Sequence, residues 1–256
     1  MKHQLLYNER HYDTAANLTR EGWTPADQNR LETMMQLVPE GIQTLLDIGS
    51  GTGVITQAFR DRGLAVVATD YSEMALRRCE GPRVLGDCQH LPFRDLSFDM
   101  IVCAEVLEHL DDGRYRRALA EITRVTCVYA LIAVPNAEDL NQIMVRCRSC
   151  SEYYTLYGHL RTFHESAMPG LLPGFRPVRS VFSGECTDYG RFLLWIRHHI
   201  GHTYAYWEHA ICPKCGQPPE RGRSLVAMGC DYVNNRMPWH RQRRSHIHVL
   251  YKRANP

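Results

Sequence analysis

The stretch LLDIGSGTG, Leu45–Gly53, decides how the rest of the chain is read. The apolar run Thr44–Ile48 predicts a short buried strand, and Gly49, Gly51 and Gly53 predict a sharp turn off its end. Val54, Ile55, Ala58 and Phe59 then fall at helical spacing through Arg60. Strand, glycine turn and helix in this order form a cradle, because backbone without Cβ atoms lets a ligand come close. D-x-G-x-G-x-G differs by one residue of spacing from the dinucleotide fingerprint G-x-G-x-x-G, so the cradle alone is weak evidence for any one ligand.

Outward from this turn the chain alternates strands and helices. Leu64–Thr69 is a near-continuous apolar strand, and Ser72 caps a helix expected to run through Cys79. Arg83–Leu85 and Phe98–Ala104 are the third and fourth strands, with a helix through Arg114–Thr123 behind them. Val128–Val134 is the fifth strand, stopped by Pro135 and Asn136. Strands apolar throughout and separated by helices predict a parallel sheet covered on both faces. After Asn136 the expected elements are a helical stretch Glu165–Leu172, a strand near Arg176–Phe182, an aromatic and His-rich helix Asp188–His209, and a final strand His246–Lys252. Asn234–Arg244, with four arginines and Pro238, reads as a solvated loop before an RNA contact.

The carboxylates downstream of the turn narrow the ligand. Asp70 closes the second strand, where an acid can accept both hydroxyls of a ribose. Gly86 and Asp87 follow the third strand, where a carboxylate can meet an adenine amino group beside the Cys88 backbone N–H. No arginine follows Asp70 directly, so a 2′-phosphate is not expected. Together these positions ask for an adenosine-bearing ligand across the carboxyl edge of the sheet.

With LLDIGSGTG, VVATDYS (Val66–Ser72), GDCQHLPF (Gly86–Phe93) and FDMIVCAEVLEHL (Phe98–Leu110) in order, the chain resembles the class I S-adenosylmethionine-dependent methyltransferases of the type 11 kind. The resemblance is close over residues 35–136 and looser through GHLRTF (Gly158–Phe163) and the last strand. It implies an α/β, Rossmann-like, doubly wound seven-stranded sheet whose last strand is antiparallel. Asp47 and Gly49 would flank the methionine part of the cofactor, Asp70 the ribose, and Asp87 with Cys88 the adenine. Ser50, Gly51, Gly53, Tyr71 and Glu105 complete the cofactor residues so implied. Tyr12, in HYDTAA, would close over the cofactor or serve only as a helix-face aromatic. The expected division is an N-terminal helical cap 1–40, a cofactor-binding core 41–136, lid and zinc-binding insertions with one core helix and strand 137–222, and a C-terminal loop and final strand 223–256.

Glu105, Glu108 and His109 stand at i, i+3 and i+4, which on a helical turn is one face. E-x-x-E-H here, with His159 in the GHLRTF segment, resembles two metal-assisted groups, the ubiquinone-biosynthesis O-methyltransferases and the small-RNA terminal 2′-O-methyltransferases. In those, a divalent ion such as Mg2+ holds two vicinal hydroxyls and lowers the pKa of the attacking oxygen. Two other roles stay open: Glu and His orienting the turn, or His109 or His159 as a metal-free general base. Glu105, His109 and His159 are thus the candidate catalytic residues.

Ten cysteines are many for 256 residues. Cys103 and Cys127 sit in apolar strand-like runs and read as small buried hydrophobes. Cys147-Arg-Ser-Cys150 and Cys212-Pro-Lys-Cys215 are both C-x-x-C, and two such knuckles supply the four soft ligands of a tetrahedral Zn2+ site. The alternatives are unrelated thiols, a redox pair, or His159 or His164 replacing one thiolate. A four-thiolate shell has no open position, so this zinc is expected to be structural, stapling a lid over the acceptor. The aromatics Tyr153, Tyr154, Tyr157, Phe192, Trp195, Tyr204, Tyr206 and Trp207 read mostly as the core of that lid.

Composition bounds the rest. Thirty Lys and Arg against 28 Asp and Glu give a net charge of +2, too balanced to imply a polyanionic partner. No apolar run reaches the ~18 residues of a membrane span, and the first residues lack the apolar core of a secretory signal. A cytoplasmic enzyme is therefore expected, without membrane or nucleic-acid partners and of undetermined oligomeric state. The leading reading is methyl transfer to a small-molecule acceptor, at a hydroxyl oxygen. Its rivals are a methyltransferase acting on RNA or protein, and a non-catalytic zinc-ribbon interaction protein on the same fold.

Overall fold

A seven-stranded mixed sheet forms around central strands, β1, β4 and β5 among them, that offer apolar side chains on both faces. The computed structural model describes residues 24–207, 210–236 and 241–254. These fall into two units, one of residues 24–137, 163–184 and 244–254, the other of Glu138–Thr162 with the described part of Glu185–Arg243.

In the first unit α1 (Pro25–Gln36), β1 (Thr44–Ile48), α2 (Val54–Arg60), β2 (Ala65–Asp70), α3 (Glu73–Leu76), β3 (Arg83–Leu85), β4 (Phe98–Ala104), α4 (Asp112–Val125) and β5 (Thr126–Pro135) follow in order. β8 (Phe175–Asp188) and β9 (Arg241–Arg253) finish the sheet, whose strand order is β3-β2-β1-β4-β5-β9-β8. β1 to β5 pair in parallel, and β9 runs antiparallel to β5 from Pro135↔His246 to Tyr129↔Lys252. The last strand is antiparallel, as expected.

Alternate residues sort to opposite faces. Leu46, Ile101, Ile132 and Val249 join Ala118, Ile122 and Val125 of α4 in one buried cluster. Leu45, Met100, Leu131 and Leu250 join Leu31, Met34 and Met35 of α1 and Phe59 of α2 in the other. α1 begins with a capping box: the Thr24 hydroxyl accepts from the Asp27 N–H, and the Asp27 carboxylate accepts from the Thr24 N–H.

The second unit consists of two excursions from the first. One is closed at its base where the Ala137 N–H donates to the Phe163 carbonyl at 2.7 Å. The other is closed where the Ser245 hydroxyl donates to the Ser183 carbonyl at 3.1 Å. The hairpin β6 (Met144–Arg146) and β7 (Tyr153–Thr155) and the helices α5 (Arg191–His199) and α6 (Leu225–Asn234) lie in this unit.

Several elements depart from expectation. The Ser72-capped helix ends at Leu76 rather than Cys79, and the His-rich helix is confined to Arg191–His199 because β8 runs on to Asp188. Glu165–Gly170 is 3₁₀. Residues 225–234, expected as loop, are helical, and β9 starts at Arg241, inside the arginine-rich segment read as loop. Of the lid aromatics only Tyr154 is buried; Tyr153, Tyr157, Phe192, Trp195 and Tyr206 are exposed, so they do not form a core. Tyr12 lies outside the described residues.

The loop from β3 to β4 is held by Arg124. Its guanidinium donates to both Glu121 oxygens, to Asp95 Oδ1 and to the carbonyls of Leu91 and Phe93, all at 2.7–3.0 Å. Hydrogen bonds from a guanidinium to charged partners stabilise by about 1.5–3 kcal/mol before neighbours relax. Arg124→Ala is expected to destabilise the protein by roughly 2 kcal/mol, read as an earlier midpoint in urea with an unchanged slope.

Candidate functional site

The glycine turn and the ends of β2 and β3 meet at the carboxyl edge of the sheet. Gly49, Gly51 and Gly53 all have positive φ, at 73°, 54° and 82°. A Cβ on Gly49 would meet Val106 Cγ2 at 2.2 Å and one on Gly53 would meet Cys79 Sγ at 2.4 Å, so the turn is tight on the protein side. A Cβ on Gly51 would meet nothing within 4 Å. There the backbone faces open space, as a ligand cradle requires. The Ser50 hydroxyl is buried without a hydrogen-bond partner.

Asp70 pins this turn to β2. Its Oδ2 accepts from the Gly51 N–H and its Oδ1 from the Ser72 N–H, each at 2.8 Å. Burial raises its pKa, and the amide hydrogen bonds oppose the rise. A carboxylate has about four acceptor sites, and the backbone N–H groups of Gly51, Tyr71 and Ser72 take three, so capacity remains for a ligand hydroxyl.

Asp47, at the end of β1, is 2% exposed, and its Oδ2 accepts from the Thr56 hydroxyl at 2.6 Å. Burial, reinforced by the charge of Asp70, lifts its pKa to about 6 against the lowering by Thr56. A buried carboxylate so poorly compensated favours a cationic ligand group beside it.

Asp87 turns back on itself: Oδ1 accepts from the Gln89 N–H at 3.0 Å and Oδ2 from Gln89 Nε2 at 2.7 Å. Burial pushes its pKa up, but these bonds and Arg114 at 3.7 Å hold it below the usual range. Gln89 is itself fixed by Arg117, whose Nε and Nη2 donate to Gln89 Oε1. Burial and the Asp87 charge push the neighbouring Cys88 thiol up to about 12, so it stays neutral.

Glu105, Glu108 and His109 do not share one helical face. The 3₁₀ turn covers only Leu107–His109, and Glu105 precedes it with φ 56°. The Glu105 carboxylate turns to Arg30 Nη1 at 3.2 Å and His246 Nε2 at 3.4 Å. A carboxylate already paired with the Arg30 guanidinium does not suit the role of metal ligand. Glu108 is fully buried and His109 nearly so. Arg30 and His246 were missed in the sequence reading; the alternation His246-Ile-His248-Val249 was the available signal that one face of β9 is polar. Tyr71, after β2, is half-buried.

In the second unit His159 is buried, its Nδ1 lying 2.5 Å from Glu138 Oε2. In the same unit the two C-x-x-C knuckles fold alike. In each, the N–H four residues after the first cysteine bonds to that cysteine's carbonyl: Ser151 to Cys147 at 3.1 Å and Gly216 to Cys212 at 2.9 Å. Both donors have positive φ, 58° and 72°. The N–H of each first cysteine bonds to the carbonyl five residues on, Cys147 to Glu152 and Cys212 to Gln217. This repeated turn brings all four sulfurs within 4.8 Å of one another, with Cys147–Cys215 at 3.4 Å and Cys150–Cys212 at 3.6 Å. Four thiolates at ~2.3 Å from zinc would stand about 3.8 Å apart, so the set fits a tetrahedral ion without a histidine. Burial raises the Cys147 thiol, yet the amides of Cys150 and Ser149 bring it down to about 7, whereas burial pushes Cys212 up to about 12, so without a cation the four do not ionise together.

Known proteins resemble this chain in its core and fold. Residues 46–133 match the family model described as a methyltransferase domain. The demethylmenaquinone methyltransferase of Renibacterium salmoninarum is 33% identical over 120 residues, 45% of this chain and 49% of that protein. The chain thus spans about half the length of this curated relative. A SAM-dependent methyltransferase from Archaeoglobus fulgidus superposes with TM-score 0.54 at 19% identity over 97% of this chain and 99% of that one. The Burkholderia thailandensis 1,6-didemethyltoxoflavin-N1-methyltransferase, solved with S-adenosylhomocysteine, superposes with TM-score 0.57 at 16% identity over 98% and 89%. The fold is that of the Rossmann-like methyltransferases, and the resemblance read from the motifs holds over the core.

The Asp47 pKa carries a stability consequence. Its folded value of about 6 lies above the ordinary 3.8, so its share of stability is full below pH 4, falls as pH rises to about 6, and is flat beyond. Asp47→Asn keeps an acceptor for Thr56 and removes the charge. The ligand-free variant is expected to be more stable than the parent by roughly 2–3 kcal/mol at pH 7.5 and barely different at pH 4. Urea denaturation at the two pH values checks this.

Proposed function

We propose that the chain transfers a methyl group from S-adenosylmethionine to a small-molecule acceptor, at a hydroxyl oxygen, and that Cys147, Cys150, Cys212 and Cys215 hold a structural zinc. The observation that carries the first part is the Asp70 carboxylate, anchored on the glycine turn with acceptor sites to spare beside the open side of Gly51. The match of residues 46–133 to a methyltransferase domain and the names of the curated relatives support it.

When bound, S-adenosylmethionine supplies a methyl group on a positively charged sulfur. Asp70 would accept the two ribose hydroxyls and Asp87, with the Cys88 N–H, would read the adenine. Asp47 would take the ammonium of the methionine part, which returns its carboxylate to the charged form. His109 is the proposed base for the acceptor hydroxyl, with Glu108 orienting it. Glu105 is not a ligand of a hard cation in this reading, because it is engaged by Arg30 and His246. The zinc has no open position, so it would hold the two knuckles together and take no part in the chemistry.

Calorimetry is expected to show micromolar binding of S-adenosylmethionine, weakened at least ten-fold by Asp70→Asn, which replaces a charged acceptor with a neutral one. Binding too weak to measure in the parent protein would sink the cofactor assignment. Radiolabel carried into a small-molecule extract, and into neither RNA nor protein, would support the acceptor class.

Elemental analysis is expected to find about one zinc per chain. Cys212→Ser should lose the metal and several degrees of melting temperature; a variant retaining both would remove the zinc from the proposal.

A further inference from the structure

Helix α6, in the second unit, is built inside out. Its inner stripe, Ala227, Cys230 and Asn234, is buried. Asp231 Oδ1 accepts from the Tyr189 hydroxyl at 2.8 Å and lies 3.2 Å from Arg197 Nε. Asn234 Oδ1 accepts from the Gly190 N–H at 2.9 Å. The outer side is apolar. At about 100° per residue, Leu225, Met228, Gly229, Tyr232, Val233 and Val226 occupy one continuous arc. Leu225 is 85% exposed, Met228 60% and Tyr232 58%. Ordinary surface helices place their charges on this side. Here the one carboxylate of the helix lies on its flank, held by Tyr189 and Arg197.

Arginines bracket the arc. Arg221 and Arg223 precede the helix and are exposed, and Arg236 follows it with its guanidinium 3.7 Å from the Tyr232 ring centroid. A second copy of the chain would set these cations against their equals. The face of a ten-residue helix is also only ~15 Å long, small beside the roughly 800 Å² that each partner of a stable protein complex buries. An anionic bilayer meets both conditions: apolar and aromatic side chains enter at headgroup depth, and arginines at the rim find lipid phosphates. No helix among the described residues is long and apolar enough to cross a membrane, and surface docking needs none.

We propose that the outer face of α6 docks on an anionic lipid surface. The test is co-sedimentation of the full chain with vesicles of phosphatidylcholine alone and of phosphatidylcholine mixed with phosphatidylglycerol. The expected result is binding to the mixed vesicles only. Leu225→Asp/Met228→Asp should weaken it at least ten-fold with an unchanged circular dichroism spectrum, since both side chains are exposed. Should those substitutions unfold α6, Arg223→Ala/Arg236→Ala keeps the test open, at roughly five-fold weaker binding per arginine. The proposal is overturned by equal binding to neutral vesicles, by no binding, or by substitutions without effect. Light scattering that shows a dimer dissociated by Leu225→Asp would also overturn it, the face then being a contact between copies. None of these readouts depends on methyl transfer, so the proposal stands or falls apart from it.

Discussion

A single carboxylate holds the ligand edge of the sheet together. Asp70 sits where β2 ends, and its two amide hydrogen bonds reach back to the glycine turn and forward to the start of α3. They add to the backbone bonds of the turn after β1, three times in left-handed conformation, in which the Gly49 and Ser50 N–H groups donate to the Thr69 carbonyl and the Gly53 N–H to the Ser50 carbonyl. The neighbouring Asp47 depends on the same arrangement, since the Asp70 charge adds to the burial that raises its pKa. Two acids side by side in poor solvation are costly alone and well suited to a ligand bearing hydroxyls and an ammonium.

The core was legible because its signals are local. Thr44–Ile48, Val54–Arg60, Arg83–Leu85 and Phe98–Ala104 have the predicted bounds, each being a short apolar or helically spaced run ended by glycine, proline or a charge. The cysteine knuckles were legible for a related reason: spacing within each C-x-x-C is a local property, though the meeting of the two is not. What could not be read was tertiary. Nothing in the run Glu105–His109 announces that Glu105 will face Arg30 and His246, which come from α1 and β9. α6 escaped because apolar residues stand on its outer as well as its inner side, so the usual single inward stripe does not mark Leu225–Asn234 as a helix.

The two units differ in how much apolar core each carries. The first has two large apolar clusters, one on each face of its sheet. The second has a small cluster around Val145, Tyr154 and Leu156 that includes Cys147 and Cys212 themselves. A core of that size rarely suffices for a unit of this length, and a metal held by four thiolates is a common remedy in small folds. The repeated hydrogen-bond pattern of the knuckles, with Ser151 and Gly216 in matching positions, adds to that packing in presenting the sulfurs.

The place of β9 bears on how the chain reaches this structure. It comes last of the strands yet lies between β5 and β8, so both neighbours wait for it with open edges. During synthesis the central strands can gather early, but the sheet cannot close until residues 241–253 have left the ribosome. Until then the backbone groups of β5 along Tyr129–Pro135 are available to any other extended chain, a hazard of aggregation that ends only when the final strand threads home.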